Sequence, residues 1–192
     1  MIYINQLERT DLTYIHNTDC GGPPEGRNTV ATSGCGLCCA SMVVAALTCE
    51  NLDVAECVKL SEGSGANHCL GTDMKILGPV VAEKYGLLYR NTNELADALE
   101  CLRRGGQVIA HVSHPAEGVP GLFTMRGHYI LLTSCDGDDF CILDPSYKEG
   151  KFDIPERTGK VDDSHAPYLY CKVNTVHAET KPTRYHLFVR RK

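Results

Sequence analysis

The sequence predicts an α+β fold, with a helical first half followed by an antiparallel sheet. Three observations carry this. Residues 37–47 are almost continuously apolar, the mark of a helix buried all round. Up to about residue 103 the spacing stays helical, between polar caps and terminal glycines. From Val108 the period shortens to that of strands, with a hairpin turn at Asp136-Gly137-Asp138-Asp139. Helices first and strands second favour separate layers over an alternating parallel sheet.

In chain order, Met1 to Asn5 alternates apolar and polar residues and reads as a short strand. Residues 8–34 have no period, and Gly21-Gly22-Pro23-Pro24 with Gly26 marks them as a long loop, a kind that is often functional. Ser33 reads as the N-cap of the buried helix. A second helix is predicted over Leu52 to Leu60, broken by Gly63-Ser64-Gly65. A third is capped by Thr72 or Asp73 and ends at Tyr85-Gly86, with Pro79 as an internal kink. Leu87 to Tyr89 reads as a strand, and Thr92 or Asn93 caps a helix from Glu94 to Arg103. Strands follow at Val108 to Val112, Tyr129 to Thr133, Phe140 to Leu143, Tyr168 to Val173 and Tyr185 to Val189. Residues 147–165 are polar and turn-rich.

The 192 residues suit one domain, 1–192. A net charge of -5 argues against nucleic acid or an anionic membrane surface as the main partner. No run of 18 apolar residues suggests a membrane span. The first residues are neither basic nor long enough to form a signal peptide. The expectation is a cytoplasmic protein, or a secreted one whose leader has been removed. Eleven cysteines is an odd count, and many lie in apolar runs. They read better as small buried hydrophobes in a reducing compartment than as a disulfide framework.

Against that background, Gly34-Cys35-Gly36, Gly127-His128-Tyr129 and Asp144-Pro145 stand out. They supply a thiol at a helix start, then an imidazole and a carboxylate on strands. Nucleophilic catalysis by cysteine needs a thiolate, a base and a group to orient the base. The helix N-terminus favours the anion, and the flanking glycines would let a substrate chain approach closely. Each residue also has a plainer reading: Cys35 as a core cysteine, His128 as a structural histidine, Asp144 as a turn former. A symmetric hairpin would set Asp144 opposite Leu131, so meeting His128 needs a bulge or register offset. Cys35-Gly36-Leu37-Cys38 is also a C-x-x-C pair of the thiol–disulfide type, although no hydrophobic strand precedes it. A zinc set of Cys35, Cys38, Cys39, His68 and Cys69 has no finger-like spacing.

Several ordered motifs together resemble the bacterial C39-like, papain-like cysteine peptidases. Thr29-Val30-Ala31-Thr32-Ser33-Gly34-Cys35-Gly36 is similar to their nucleophile segment. Gly127-His128-Tyr129-Ile130-Leu131-Leu132-Thr133 resembles their histidine strand, and Leu143-Asp144-Pro145-Ser146 the strand end bearing the third residue. Similarity extends over Gly71 to Leu87, Gly121 to Thr124 and Arg184 to Phe188, so it covers nearly the whole chain. The resemblance implies a papain-like fold, with Cys35 as nucleophile, His128 as base and then acid, and Asp144 orienting the imidazole. It implies an oxyanion hole built from the Cys35 N–H and an upstream glutamine. Gln6, in Tyr3-Ile4-Asn5-Gln6, is similar to that glutamine, and Asn28 is the rival donor. Where the family has Gly-Pro after the cysteine, this chain has Gly36-Leu37.

The implied activity is cleavage of a peptide bond through an acyl-enzyme. The substrate would be a peptide or protein, and no metal or organic cofactor is needed. The alternatives are an amidase or acyltransferase on the same scaffold, a silent binding module, and a redox protein built on Cys35 and Cys38. Specificity is expected from the 8–34 loop and the segment from His114 to Arg126.

Overall fold

The computed structural model describes residues 2–15, 28–68, 71–114 and 118–191, the backbone alone at 181–183. The fold is α+β. Helices α1 (Val30–Ser33), α2 (Cys35–Leu47), α3 (Val54–Ser64) and α4 (Met74–Lys84) come first. Strand β1 (Leu87–Thr92) and helix α5 (Leu95–Arg103) lead into β2 (Gln107–Ser113), β3 (Gly127–Asp136) and β4 (Asp139–Leu143). After these come β5 (Val161–Asp162), β6 (Tyr168–Lys172), α6 (Val173–Ala178) and β7 (Thr180–Arg190). The seven strands form one antiparallel sheet in the order β1-β7-β2-β3-β4-β6-β5.

The sheet is buried on both faces, and alternation along each strand divides two cores. Ile109, Tyr129, Leu131, Leu143 and Phe188 pack with α2, α3 and α4. Val108, Ala110, Ile130, Leu132, Ile142 and Leu187 pack with α5 and with Phe123, Phe152 and Val176. Helix α2 is the centre of the first core. Ten of its residues are buried, from Gly36 to Leu47, as its unbroken apolar pattern requires. Cutting Leu37 or Met42 back to Ala there costs about 2–5 kcal/mol.

The element ends show which local signals win. Asp73 caps α4 by accepting from the Lys75 N–H at 2.8 Å. Asp53 caps α3 in the same way through Ala55, so that helix runs later than the predicted Leu52 to Leu60. It continues through Gly63, and Gly65 at φ +74° ends it. Thr92 acts two residues ahead of the cap: its hydroxyl accepts from the Glu94 N–H and donates to Asp97. The N-cap itself is Glu94.

Several expectations are corrected. Residues 2–5 are not a strand. Asn5 instead caps a 3₁₀ turn at Gln6–Glu8 by accepting from the Leu7 N–H. Ser33 is not the cap of α2; it ends α1, its hydroxyl turned back to the Thr29 carbonyl, and Gly34 takes the cap position. Residues 28–34 are therefore not all loop, and Thr13 pairs with Thr29 across a β-bridge. Helix α6 and strand β5 were not expected from their polar sequences. The glycine-rich stretch at 21–26 lies outside the described residues. Among the described residues no helix is long and apolar enough to cross a membrane.

Candidate active site

Cys35 is the first residue of α2, where backbone N–H groups have no intrahelical acceptor. Its flanking glycines are required by the protein's own packing. A side chain at Gly34 would collide with Val30, and one at Gly36 would press on Thr72, Tyr129 and Met74 at 3.0–3.3 Å. Cys35 as a residue is partly exposed. Burial of the sulfur works to raise its pKa. The His128 charge and hydrogen bond, with N–H groups of Tyr129 and Gly36, outweigh this and hold Cys35 below the ordinary thiol value.

His128 is buried at the start of β3. Its Nε2 lies 2.7 Å from Oδ1 of Asp144 and 3.1 Å from the Ser146 hydroxyl, which leaves Nδ1 for the Cys35 thiol. Burial pushes the imidazole down, but the charges of Asp144 and Cys35 and their hydrogen bonds raise it to about 9.

The meeting of His128 and Asp144 depends on a bulge. Asp136 pairs with Asp139 and Ser134 with Cys141, but the next pair is Leu132 with Ile142. Thr133 is the extra residue. The bulge sets Leu143 opposite Leu131, so Asp144, one step on, is level with Ile130. Ile130 and His128 share a face by alternation; without the bulge Asp144 would share the face of Leu131 instead.

Asp144 is fully buried. Oδ1 accepts from His128, from the Ser146 N–H at 2.8 Å and from the Ser146 hydroxyl at 3.1 Å. Oδ2 pairs with the ammonium of Lys151, itself buried. Burial would raise the Asp144 pKa, yet Lys151 and His128 together hold it far below the carboxylate range. Lys151 is the part of this site that sequence reasoning missed. It sits in a stretch whose polar, turn-rich composition signals surface, and no local pattern marks it as interior.

Gln6 is buried between the two halves of the site. Its backbone N–H donates to the Pro145 carbonyl at 2.7 Å, and its Nε2 to the Ala31 carbonyl at 2.9 Å. One Nε2 proton is left over, and the Ala31 carbonyl that takes the other lies four residues before Cys35. Asn28 is exposed, with its carbonyl taken by the Tyr14 N–H. Cys38 is fully buried, and burial pushes its thiol well up, as it does that of Cys39. All nine described cysteines are free. Among the described residues no group of three His, Cys, Asp or Glu is placed to hold a metal ion, and Cys69 lies outside them.

No family model matches the sequence, and no curated protein matches it. Solved structures match in fold. The peptidase domain of Streptococcus ComA, a bi-functional ABC transporter involved in a quorum-sensing pathway, aligns with a TM-score of 0.54 at 16% identity, over 82% of this chain and 91% of that one. A Bacillus anthracis protein described as a C39-like peptidase aligns with a TM-score of 0.55 at 11% identity, over 95% of this chain and 96% of that one. At such identities the likeness is one of fold. The chain has the papain-like α+β fold of the C39 peptidase domains.

Proposed function

We propose that the protein is a cysteine peptidase, with Cys35 as nucleophile, His128 as proton carrier and Asp144 as the orienting carboxylate. One observation carries this: the imidazole that holds the thiol at the α2 N-terminus below its ordinary pKa has its Nε2 2.7 Å from a buried carboxylate. The thiolate attacks the peptide carbonyl carbon, and the C=O electron pair moves onto oxygen. That oxyanion is met by the Cys35 N–H and by the spare amide proton of Gln6. Collapse breaks the C–N bond, and the imidazolium gives its Nδ1 proton to the leaving amine. Neutral Nδ1 then takes a proton from water, which attacks the acyl-enzyme and releases the thiolate and a carboxylate product. Throughout, Asp144 keeps the Nε2 proton in place and so fixes the tautomer.

The substrate class is a peptide or protein. The test is to incubate the protein with a mixed peptide library and read the products by mass spectrometry, beside Cys35→Ala. Cleavage by the wild type and none by a variant of equal melting temperature is the expected result. Turnover that survives in Cys35→Ala overturns the proposal. Product masses also separate peptide-bond hydrolysis from amidase or acyl-transfer chemistry.

A further inference from the structure

The charges around His128 do not stop at three. Lys151 enters from the connection between β4 and β5. Its ammonium pairs with Asp144 Oδ2, bonds the Ser146 hydroxyl at 2.8 Å and reaches the Ser146 carbonyl at 3.4 Å. It also lies 5.9 Å from the centre of the Phe152 ring. Lysine is seldom buried unless paired. An ion pair kept only for stability is often no better than apolar residues of equal volume, so its place behind a reactive pair calls for another reason.

We propose that Lys151 is a positioning residue of this site: it fixes Asp144 on His128 and makes the thiolate–imidazolium form electroneutral. This rests on the peptidase reading only for its consequence in turnover. With Cys35 as thiolate and His128 as imidazolium, Asp144 and Lys151 bring the buried sum to zero. Without Lys151 the same state carries one net negative charge away from water, and protonating the thiolate relieves it. Lys151 also divides the carboxylate. Oδ2 is held by the ammonium, so Oδ1 faces Nε2 in one orientation. Ser146 ties the three together, within 3.1 Å of Nε2, Oδ1 and the ammonium alike.

The other charged groups nearby do not replace it. Arg157 faces Lys151 but is spent on the carbonyls of Gly121 and Lys151, and its charge is opposed by Glu179. Tyr3, Cys38 and Cys39 border the site and remain neutral, since burial raises all three.

The test is the pH dependence of Cys35 alkylation by iodoacetamide, followed by mass spectrometry on the full chain. Lys151→Met moves the acidic limb up by about one pH unit, which is tenfold less thiolate below it. Lys151→Arg, which keeps the charge, restores most of the loss. In an Asp144→Asn background Lys151→Met moves the limb no further, because burial discharges a lysine that has lost its partner. An unmoved limb in folded Lys151→Met overturns the inference, as does an equal further move in the Asp144→Asn background. Should Lys151→Met not fold, Lys151→Gln takes its place beside Lys151→Arg: the limb moves up in the first and stays near the wild-type position in the second, and equal limbs in the two overturn the inference. Alkylation needs no substrate. A shifted limb in a protein that cleaves no peptide therefore defeats the peptidase reading alone, and an unshifted limb in an active peptidase defeats only the role of Lys151.

Discussion

Tyr3 and Asp144 meet although 141 residues separate them: the Tyr3 hydroxyl donates to the Asp144 carbonyl oxygen at 2.8 Å. Gln6 and Asn5 add bonds to the carbonyls of Pro145 and Tyr147 at 2.7 and 3.0 Å. The first residues thus clamp the strand end that carries the carboxylate. Tyr3→Phe removes one bond of the clamp and costs about 1 kcal/mol of stability. Urea unfolding measures the loss, and kcat/KM falls several-fold as Asp144 loosens. Unchanged values in both assays would show that Tyr3 holds nothing.

The pH response has two sides. Asp144 is depressed in the fold, so its contribution is complete above the unfolded carboxylate value of about 4 and is lost as pH falls below it. His128 is raised to about 9, so its contribution is complete below about 6.5 and is lost as pH climbs through 9. Cys35 is lowered in the fold, so its contribution grows as pH rises toward its unfolded value of about 9 and offsets part of the His128 loss. The unfolding free energy measured across pH should fall steeply on the acid side and only shallowly on the alkaline side. His128→Gln should lose the alkaline decline. Turnover should be bell-shaped, with the alkaline limb near 9 belonging to the coupled Cys35–His128 pair.

Gly78 lies inside α4, where Ala would ordinarily gain up to about 1 kcal/mol in helix propensity. Here a Cβ would run into the Tyr89 ring. That ring cannot step aside, because its hydroxyl bonds the Met74 carbonyl at 3.0 Å and His186 Nδ1 at 2.8 Å. The clash outweighs the propensity: Gly78→Ala should destabilise by about 1–3 kcal/mol, read as a lower melting temperature. A rise would mean that β1 shifts freely against α4.

Cys38→Ala tests the redox alternative. The Cys38 thiol is fully buried and pushed up by its surroundings, so it holds almost no thiolate at neutral pH. The variant should keep the wild-type alkylation rate at Cys35 and the wild-type turnover. Loss of either, or a Cys35–Cys38 disulfide found by mass spectrometry under air, would favour a dithiol function.

Local chemistry made much of the fold legible. The apolar run of α2, the Asp73 cap and the Gly137 turn each follow from a few neighbouring residues. What stayed hidden depends on distant contacts. Ser33 has the right side chain for a cap, but its hydroxyl is drawn back to Thr29 and Gly34 replaces it. The segment at 2–5 alternates like a strand, yet its polar groups go to the ends of other elements. Lys151 reads as surface because its partner lies seven residues back in a strand end whose burial the sequence does not display. The face of Asp144 was undecided for a sharper reason. It turns on a single unpaired residue, Thr133, and side-chain parity in a strand reverses with every step.

That bulge also determines where the chain tolerates added length. The interval from His128 to Asp144 is phase-locked on both strands, so one residue gained or lost in a paired position inverts one partner. The turn at Gly137 and Asp138 lies outside that constraint, at the end of the hairpin away from His128. A reporter peptide or small domain grafted there leaves every pair from Asp136↔Asp139 inward in register. The hairpin is therefore the natural insertion port of this molecule, and its two strands are the places where an indel would silence it.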